Sequence, residues 1–313
     1  MQRGSITRVG FDESTNAAVR DTFPGFLTRT FEVLTHFGDG AVLLAAAAIF
    51  YWFSRDERRR ERAIVLGIAV GGLGFVAALQ GVFGVSRPDP ASLEVVGSTD
   101  AGYGFPSTHA FVAAAVFGAL SQRSRLGTAR GRYAVVVTIV TIVSLSRITS
   151  GAHYVTDVVV GVGLGLAFLF FVLRDPDPQP GTLFVLAGLA AIVAALLGAR
   201  EFITLAVGAS VGTTVAWAYE TSRPPASPRG GGLVLAGSVA LAALVIVRAG
   251  TTLISTPWLV EVVGYAVVTA GLVLVPQVAV HIDHWEAVET LQERLPFDGR
   301  TIDPNRRVVT TEE

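Results

Sequence analysis

Long apolar runs separated by short polar breaks dominate the chain. The clearest covers residues 63–86, uncharged throughout and bounded by Arg62 and Arg87. A membrane-crossing helix needs about 20 mostly apolar residues. Comparable runs centre on 34–53, 107–122, 133–145, 155–173, 182–199, 202–219, 232–247 and 258–280. The pattern predicts an all-α, polytopic membrane bundle of about nine transmembrane helices, several short enough to be merged or re-entrant. Gly71, Gly72 and Gly74, like Gly161, Gly163 and Gly165, fall inside two of the runs, where small residues let helices approach closely in lipid. Ahead of the first run, residues 17–37 mix Val19, Phe23, Phe26, Leu27, Phe31 and Leu34 with Arg20, Asp21, Arg29 and Glu32. That mixture predicts an amphipathic helix, lying on the membrane or packed on the bundle rather than crossing it. Residues 1–20 are polar and lack the apolar stretch of a signal peptide.

The polar breaks set the sidedness. "SRDERRRER" holds Arg55, Arg58, Arg59, Arg60 and Arg62, and "SQRSRLGTARGR" holds Arg123, Arg125, Arg130 and Arg132. Arginine-rich short loops stay cytoplasmic. The run from residue 63 then leads outward, the run from 107 returns, and the run from 133 leads outward again. Three polar clusters therefore share the outer face: "QGVFGVSRP" (80–88), "FPSTHA" (105–110) and "SRITSGAHYVTD" (146–157). Composition agrees with a membrane protein: 51% hydrophobic, 16% charged, mean hydropathy +0.56. A formal net charge of −1 argues against a nucleic-acid partner. With no cysteine, disulfides, thiol catalysis and thiolate metal sites are excluded. Every Lys+Arg position is arginine.

The clusters carry the chemistry. His153 and Asp157 are four apart on a predicted helix, so a carboxylate can hold one ring nitrogen and leave the other free to act. Arg147 precedes that helix in a loop loosened by Gly151 and offers a planar, permanently charged fork suited to phosphate oxygens. Pro106-Ser107-Thr108 opens another helix, with Ser107 as N-cap and unpaired backbone N–H groups that favour an anion. His109 lies in its first turn. Arg87 ends a span that Pro88 stops, and Gln80 lies two turns back on the same face. Two arginines, two histidines, an aspartate and a helix N-terminus make an oxyanion site with a nucleophile and an acid, the parts that phosphoryl transfer requires. Taken singly, the arginines read as snorkelling anchors and the His–Asp pair as a packing hydrogen bond. Jointly, such readings leave the spacing and the shared face unexplained.

The clusters resemble the three signature motifs of the type-2 phosphatidic acid phosphatase superfamily, which read K-x6-R-P, P-S-G-H and S-R-x5-H-x3-D. Here they stand as Gln80-x6-Arg87-Pro88, Pro106-Ser107-Thr108-His109 and Ser146-Arg147-x5-His153-x3-Asp157. Gln80 replaces the Lys and Thr108 the Gly. The resemblance covers roughly 34–173. It implies His153 as the nucleophile that forms a phosphohistidine, Asp157 as its orienting group, and His109 as the acid for the leaving alkoxide. Arg87, Arg147, Ser107, Thr108 and Gln80 would line the phosphate site. It implies no metal and no cofactor.

Several readings concern the rest of the chain. His36 and Asp39 read as a helix break near the outer interface. His281, Asp283 and His284 ("HIDHWE") read as the solvated start of a cytoplasmic tail rather than metal ligands. Glu261 sits at membrane depth, with Arg248 as its expected partner. The expected organisation is an amphipathic segment (1–37), a phosphatase core (38–178), additional transmembrane helices without a motif (179–280), and a polar, partly disordered tail (281–313). The functional expectation is a lipid phosphate or diphosphate phosphatase of the cell membrane, its site on the extracytoplasmic side, its partners a lipid phosphate and membrane lipids. A headgroup phosphotransferase, a vanadate-type oxidative enzyme and a non-catalytic membrane protein with a degenerate pocket are the alternatives.

Overall fold

A computed structural model of the chain describes residues 13–54, 56–88, 102–200 and 202–295. Each of the nine predicted runs holds one helix: α3 (Gly40–Trp52), α4 (Asp56–Phe83), α5 (Thr108–Arg123), α6 (Ala129–Thr149), α7 (Val155–Arg174), α8 (Pro180–Leu196), α9 (Ile203–Thr221), α10 (Gly230–Leu253) and α11 (Trp258–Ile282). Two short helices, α1 (Glu13–Asp21) and α2 (Gly25–Leu34), precede them, and α12 (Glu286–Arg294) follows. Among the described residues there is no strand, and the protein is an all-α helical bundle. Among the described residues, five helices (α4, α6, α7, α10 and α11) are long and apolar enough to cross a membrane. The count is six if α2 with its following 3-10 turn, Thr35–Gly38, forms one span with α3 across a 55° bend. Helices α3, α5 and α8 are shorter, and α9 is not among the five, so length and composition do not establish all nine crossings.

Helix α4 is the hub. In its most apolar stretch 83% of residues are buried, against 17% in α6. A helix apolar all round suits a bundle centre, and one that keeps its apolar face outward suits lipid. Helix α4 packs on α3, α5, α8 and α9, and α5 packs on α6 and α7. Close approach of α5 and α7 depends on glycine: a Cβ at Gly161 would lie 2.8 Å from the Ser107 carbonyl oxygen, and one at Gly165 2.3 Å from that of Phe111.

The additional helices are bound into the same bundle, α9 against α11 and α8 against α4. Pro276 sits inside α11. Lacking an N–H, it cannot bond the carbonyl of Leu272 four residues back, and the buried Trp52 indole of α3 donates to that carbonyl at 2.7 Å.

Several local expectations change. The amphipathic segment is two helices broken at Pro24, and both pack on α6. The arginine cluster is not a loop, because α4 begins at Asp56 and runs through Arg58–Arg62. Part of the expected tail is folded: α12 packs on α10 and buries Val288. Residues 296–313 lie outside the described residues. Glu261 lies in the first turn of α11 and accepts from Thr256 Oγ1 at 2.7 Å, while Arg248 pairs with Asp39 instead. Asp283 accepts the Arg229 N–H at 2.8 Å, and His281 Nδ1 lies 2.7 Å from the Gln277 carbonyl oxygen.

The arginine-rich breaks gather at one end of the bundle. Arg123 pairs with Glu61 at 3.0 Å. Arg59 donates to the Ala226 carbonyl and Arg60 to Gln179 Oε1. From Arg62 to Gln80, α4 rises by about 27 Å, which puts the three polar clusters at the opposite end.

Candidate active site

The first cluster is split by the end of a helix. Helix α4 stops at Phe83, and Gly84 adopts φ 59°, closing the turn with its N–H on the Gln80 carbonyl at 2.8 Å. Arg87 therefore lies beyond the helix, in a segment that bridges Ser86 to Tyr103, and does not share a helical face with Gln80. Gln80 is buried in α4, and its amide nitrogen donates to the Pro106 carbonyl and to Thr108 Oγ1, both at 2.9 Å.

In the second cluster Ser107 is the N-cap residue of α5 with extended backbone, as expected, but its side chain makes no capping bond. Its hydroxyl oxygen is buried and has no hydrogen-bond partner among the described residues. The Ser107 N–H donates to the Asp157 carbonyl at 3.0 Å, which joins the second cluster to the third. Thr108 and His109 follow in the first turn, both buried.

In the third cluster Arg147 lies in the last turn of α6, not in the following loop. Gly151, at φ 70°, reverses the chain after that helix. His153 precedes α7, whose N-cap is Tyr154, so it shares a turn and not a helix with Asp157. Asp157 is at the third position of α7, and its Oδ2 accepts the Tyr154 N–H at 2.9 Å, the side-chain half of a capping box. This local bond places the carboxylate beside the imidazole.

His153 is fully buried at the centre of the assembly. Its Nδ1 lies 2.8 Å from the Gly104 carbonyl oxygen and 3.4 Å from Asp157 Oδ2. Both are acceptors, which assigns the ring proton to Nδ1 and the lone pair to Nε2. Nε2 lies 3.2 Å from Arg87 Nη1, which also donates to the Ala152 carbonyl at 3.1 Å. The Arg147 carbonyl accepts the His153 N–H at 3.2 Å, while its guanidinium reaches Thr35 Oγ1 at 3.4 Å. The first and third clusters thus meet at one imidazole, and the second is tied to them through the bond from Ser107 to Asp157. Among the described residues, no group of three or more His, Asp or Glu side chains is placed to hold a metal.

Residues 61–179 match the family model described as the PAP2 superfamily. This segment is a PAP2 superfamily domain, in line with the resemblance that the three clusters carry. No curated protein and no solved structure matches the chain. That domain and the helices of membrane-crossing length support an integral membrane protein with phosphatase-type chemistry. The match spans α4 to α7, and all three clusters fall within it.

Sequence reasoning missed the Gly104 carbonyl, the nearest partner of His153 Nδ1. A backbone carbonyl carries no residue-type signal, and Gly104 is brought in by the bond from its N–H to the Val85 carbonyl at 2.7 Å. Phe202 was also missed: its ring lies 5.5 Å from that of His109, and it comes from outside the PAP2 domain.

Proposed function

We propose that the protein hydrolyses the phosphate or diphosphate headgroup of a lipid alcohol through a phosphohistidine on His153, at the extracytoplasmic face of the cell membrane. The observation that carries this reading is the environment of His153: Nδ1 against the Gly104 carbonyl and Asp157, Nε2 against Arg87. An imidazole held this way has an oriented lone pair beside a permanent cation.

In the first step the Nε2 lone pair forms the N–P bond as the P–O bond to the lipid breaks, and His109 gives its proton to the departing oxygen. The phosphorylated ring is cationic, and Asp157 and the Gly104 carbonyl stabilise it. In the second step His109 takes a proton from water, the water oxygen bonds to phosphorus, and the N–P bond breaks. Arg87, Arg147, the Ser107 hydroxyl and the Thr108 N–H would hold the phosphoryl oxygens. A phosphoryl oxygen supplies the partner that the buried Ser107 hydroxyl lacks among the described residues. Gln80 holds the loop that carries Ser107 and Thr108.

A lipid substrate follows from position. His153 lies between α6 and α7, and α7 exposes Val159, Phe170 and Phe171 below it. A lipid tail can stay against that face while the headgroup enters. The extracytoplasmic assignment rests on the arginine-rich end opposite the site.

The test is phosphate release by the purified protein in detergent from a panel of lipid phosphates and diphosphates. Wild type releases phosphate, and His153→Ala reduces release to background. Full activity in His153→Ala would overturn the mechanism. Adding alcohols and analysing products separates the phosphatase from a headgroup phosphotransferase.

A further inference from the structure

His109 is held by residues that lie outside the signature clusters. On one side is the 3-10 turn before α3. A Cβ at Gly38 would lie 3.0 Å from His109 Cβ and 3.1 Å from its Cδ2, so the turn backbone sits directly on the imidazole. The next residue, Asp39, is buried. Its Oδ1 accepts the Ala41 N–H at 2.8 Å and caps α3, and its Oδ2 accepts Arg248 Nη2 at 2.9 Å.

On the other side is Phe202, at the N-terminus of α9, its ring 5.5 Å from that of His109. Phe202 has φ 53°, a left-handed conformation that is strained for a non-glycine residue. Such a residue persists where its surroundings determine it, and these positions gather at functional sites. The Arg248 guanidinium carbon lies 5.3 Å from the centre of the Phe202 ring. One arginine from α10, beyond the PAP2 domain, therefore holds both neighbours of His109.

We infer that Arg248 is a positioning residue for His109, acting through Asp39 and Phe202, and that the helices beyond the PAP2 domain complete the active site. The inference rests on the reading of His109 as the acid that protonates the leaving group. That role needs the imidazole within about 2.6–3.2 Å of the leaving oxygen, and a misplacement of about 1 Å costs on the order of 10²-fold in rate. Arg248 also neutralises Asp39, whose carboxylate would otherwise draw a protonated imidazole toward the turn and away from the substrate.

The experiment uses the full-length protein in detergent and two substrates. One is an alkyl lipid phosphate, whose alkoxide needs protonation. The other is p-nitrophenyl phosphate, whose phenolate leaves without it. His109→Ala is the reference. Arg248→Met keeps the side-chain stem without the charge, Arg248→Lys restores a cation that can pair with Asp39, and Phe202→Leu removes the aromatic face.

The expected result is a loss in kcat/KM, which reports the transfer to His153 and not the later water step that also uses His109, of about 10- to 100-fold on the alkyl phosphate for Arg248→Met, by misplacement of the acid. The loss on p-nitrophenyl phosphate is under about 3-fold, because leaving-group protonation contributes little there. Arg248→Lys recovers most of the loss, and Phe202→Leu shows the same split to a smaller degree. Equal losses on both substrates, or none, would reduce Arg248 to a structural brace and overturn the inference. If Arg248→Met does not fold, as judged by thermal unfolding, the split in Phe202→Leu decides in the same way. If His109→Ala is equally impaired on both substrates, the acid reading fails first, and that outcome is distinguishable because it does not involve Arg248.

Discussion

Gln80 and Thr108, the two residues that depart from the superfamily's motif pattern, touch each other: Gln80 Nε2 donates to Thr108 Oγ1 at 2.9 Å. A lysine at position 80 would bring an ammonium to the same hydroxyl and to the Pro106 carbonyl, both of which accept. The hydroxyl then retains the charge that a phosphoryl group would otherwise meet. A double-mutant cycle tests this. Gln80→Lys alone is expected to change kcat/KM on a lipid phosphate by less than about 3-fold, whereas Gln80→Lys with Thr108→Gly raises it about 10-fold, through a contact of about 1.5–3 kcal/mol to a charged group. Contacting residues couple by roughly 0.5–3 kcal/mol, and additive effects across the cycle would show that the two departures are independent. The cluster spacings identified both positions, but their contact depends on how the α4 end meets the start of α5.

At the scale of elements, the glycines of α7 are not equivalent. A Cβ at Gly165 would meet the Phe111 carbonyl at 2.3 Å, whereas one at Gly163 meets nothing within 4 Å. The facing atom at Gly165 is backbone, so α7 as a whole would have to move off α5. Gly165→Ala is therefore expected to destabilise the protein by about 1–3 kcal/mol through overpacking. Gly163→Ala is expected to be neutral or to stabilise by up to about 1 kcal/mol from helix propensity. Thermal unfolding in a fixed detergent compares them, and equal destabilisation would contradict the α5–α7 packing. Both glycines stood out in the sequence as packing candidates. Periodicity did not separate them, because the bundle decides which face of α7 meets a neighbour.

For the whole molecule, the bonds among Arg59, Arg60, Arg123, Glu61, Gln179 and Ala226 place the arginine-rich segments together at one end. If that end is cytoplasmic, a cysteine at Ser124, just after α5, is shielded in intact cells. Ser98 lies outside the described residues, in the segment between α4 and α5, and a cysteine there is expected to react with a membrane-impermeant thiol reagent. The chain has no other cysteine to interfere. Labelling at Ser124 and not at Ser98 would reverse the orientation and move the proposed site to the cytoplasmic face.

What the sequence determined by itself is whatever depends on local pattern or on membrane topology. Apolar runs located the helices because lipid leaves backbone groups no partner outside a helix or a closed sheet. The spacing of His153 and Asp157 indicated their contact because only four residues separate them, even though His153 proved to precede the helix. Arginine bias and alternation of the runs put the clusters at one end. Tertiary structure alone decided the partners that arrive from far along the chain: the Gly104 carbonyl on His153, the Trp52 indole on the carbonyl that Pro276 leaves free, and Arg248 on Asp39, 209 residues away. Such pairs carry no periodicity, and a carbonyl or an aromatic face can be supplied by many residues, so only the packing of the bundle selects which one.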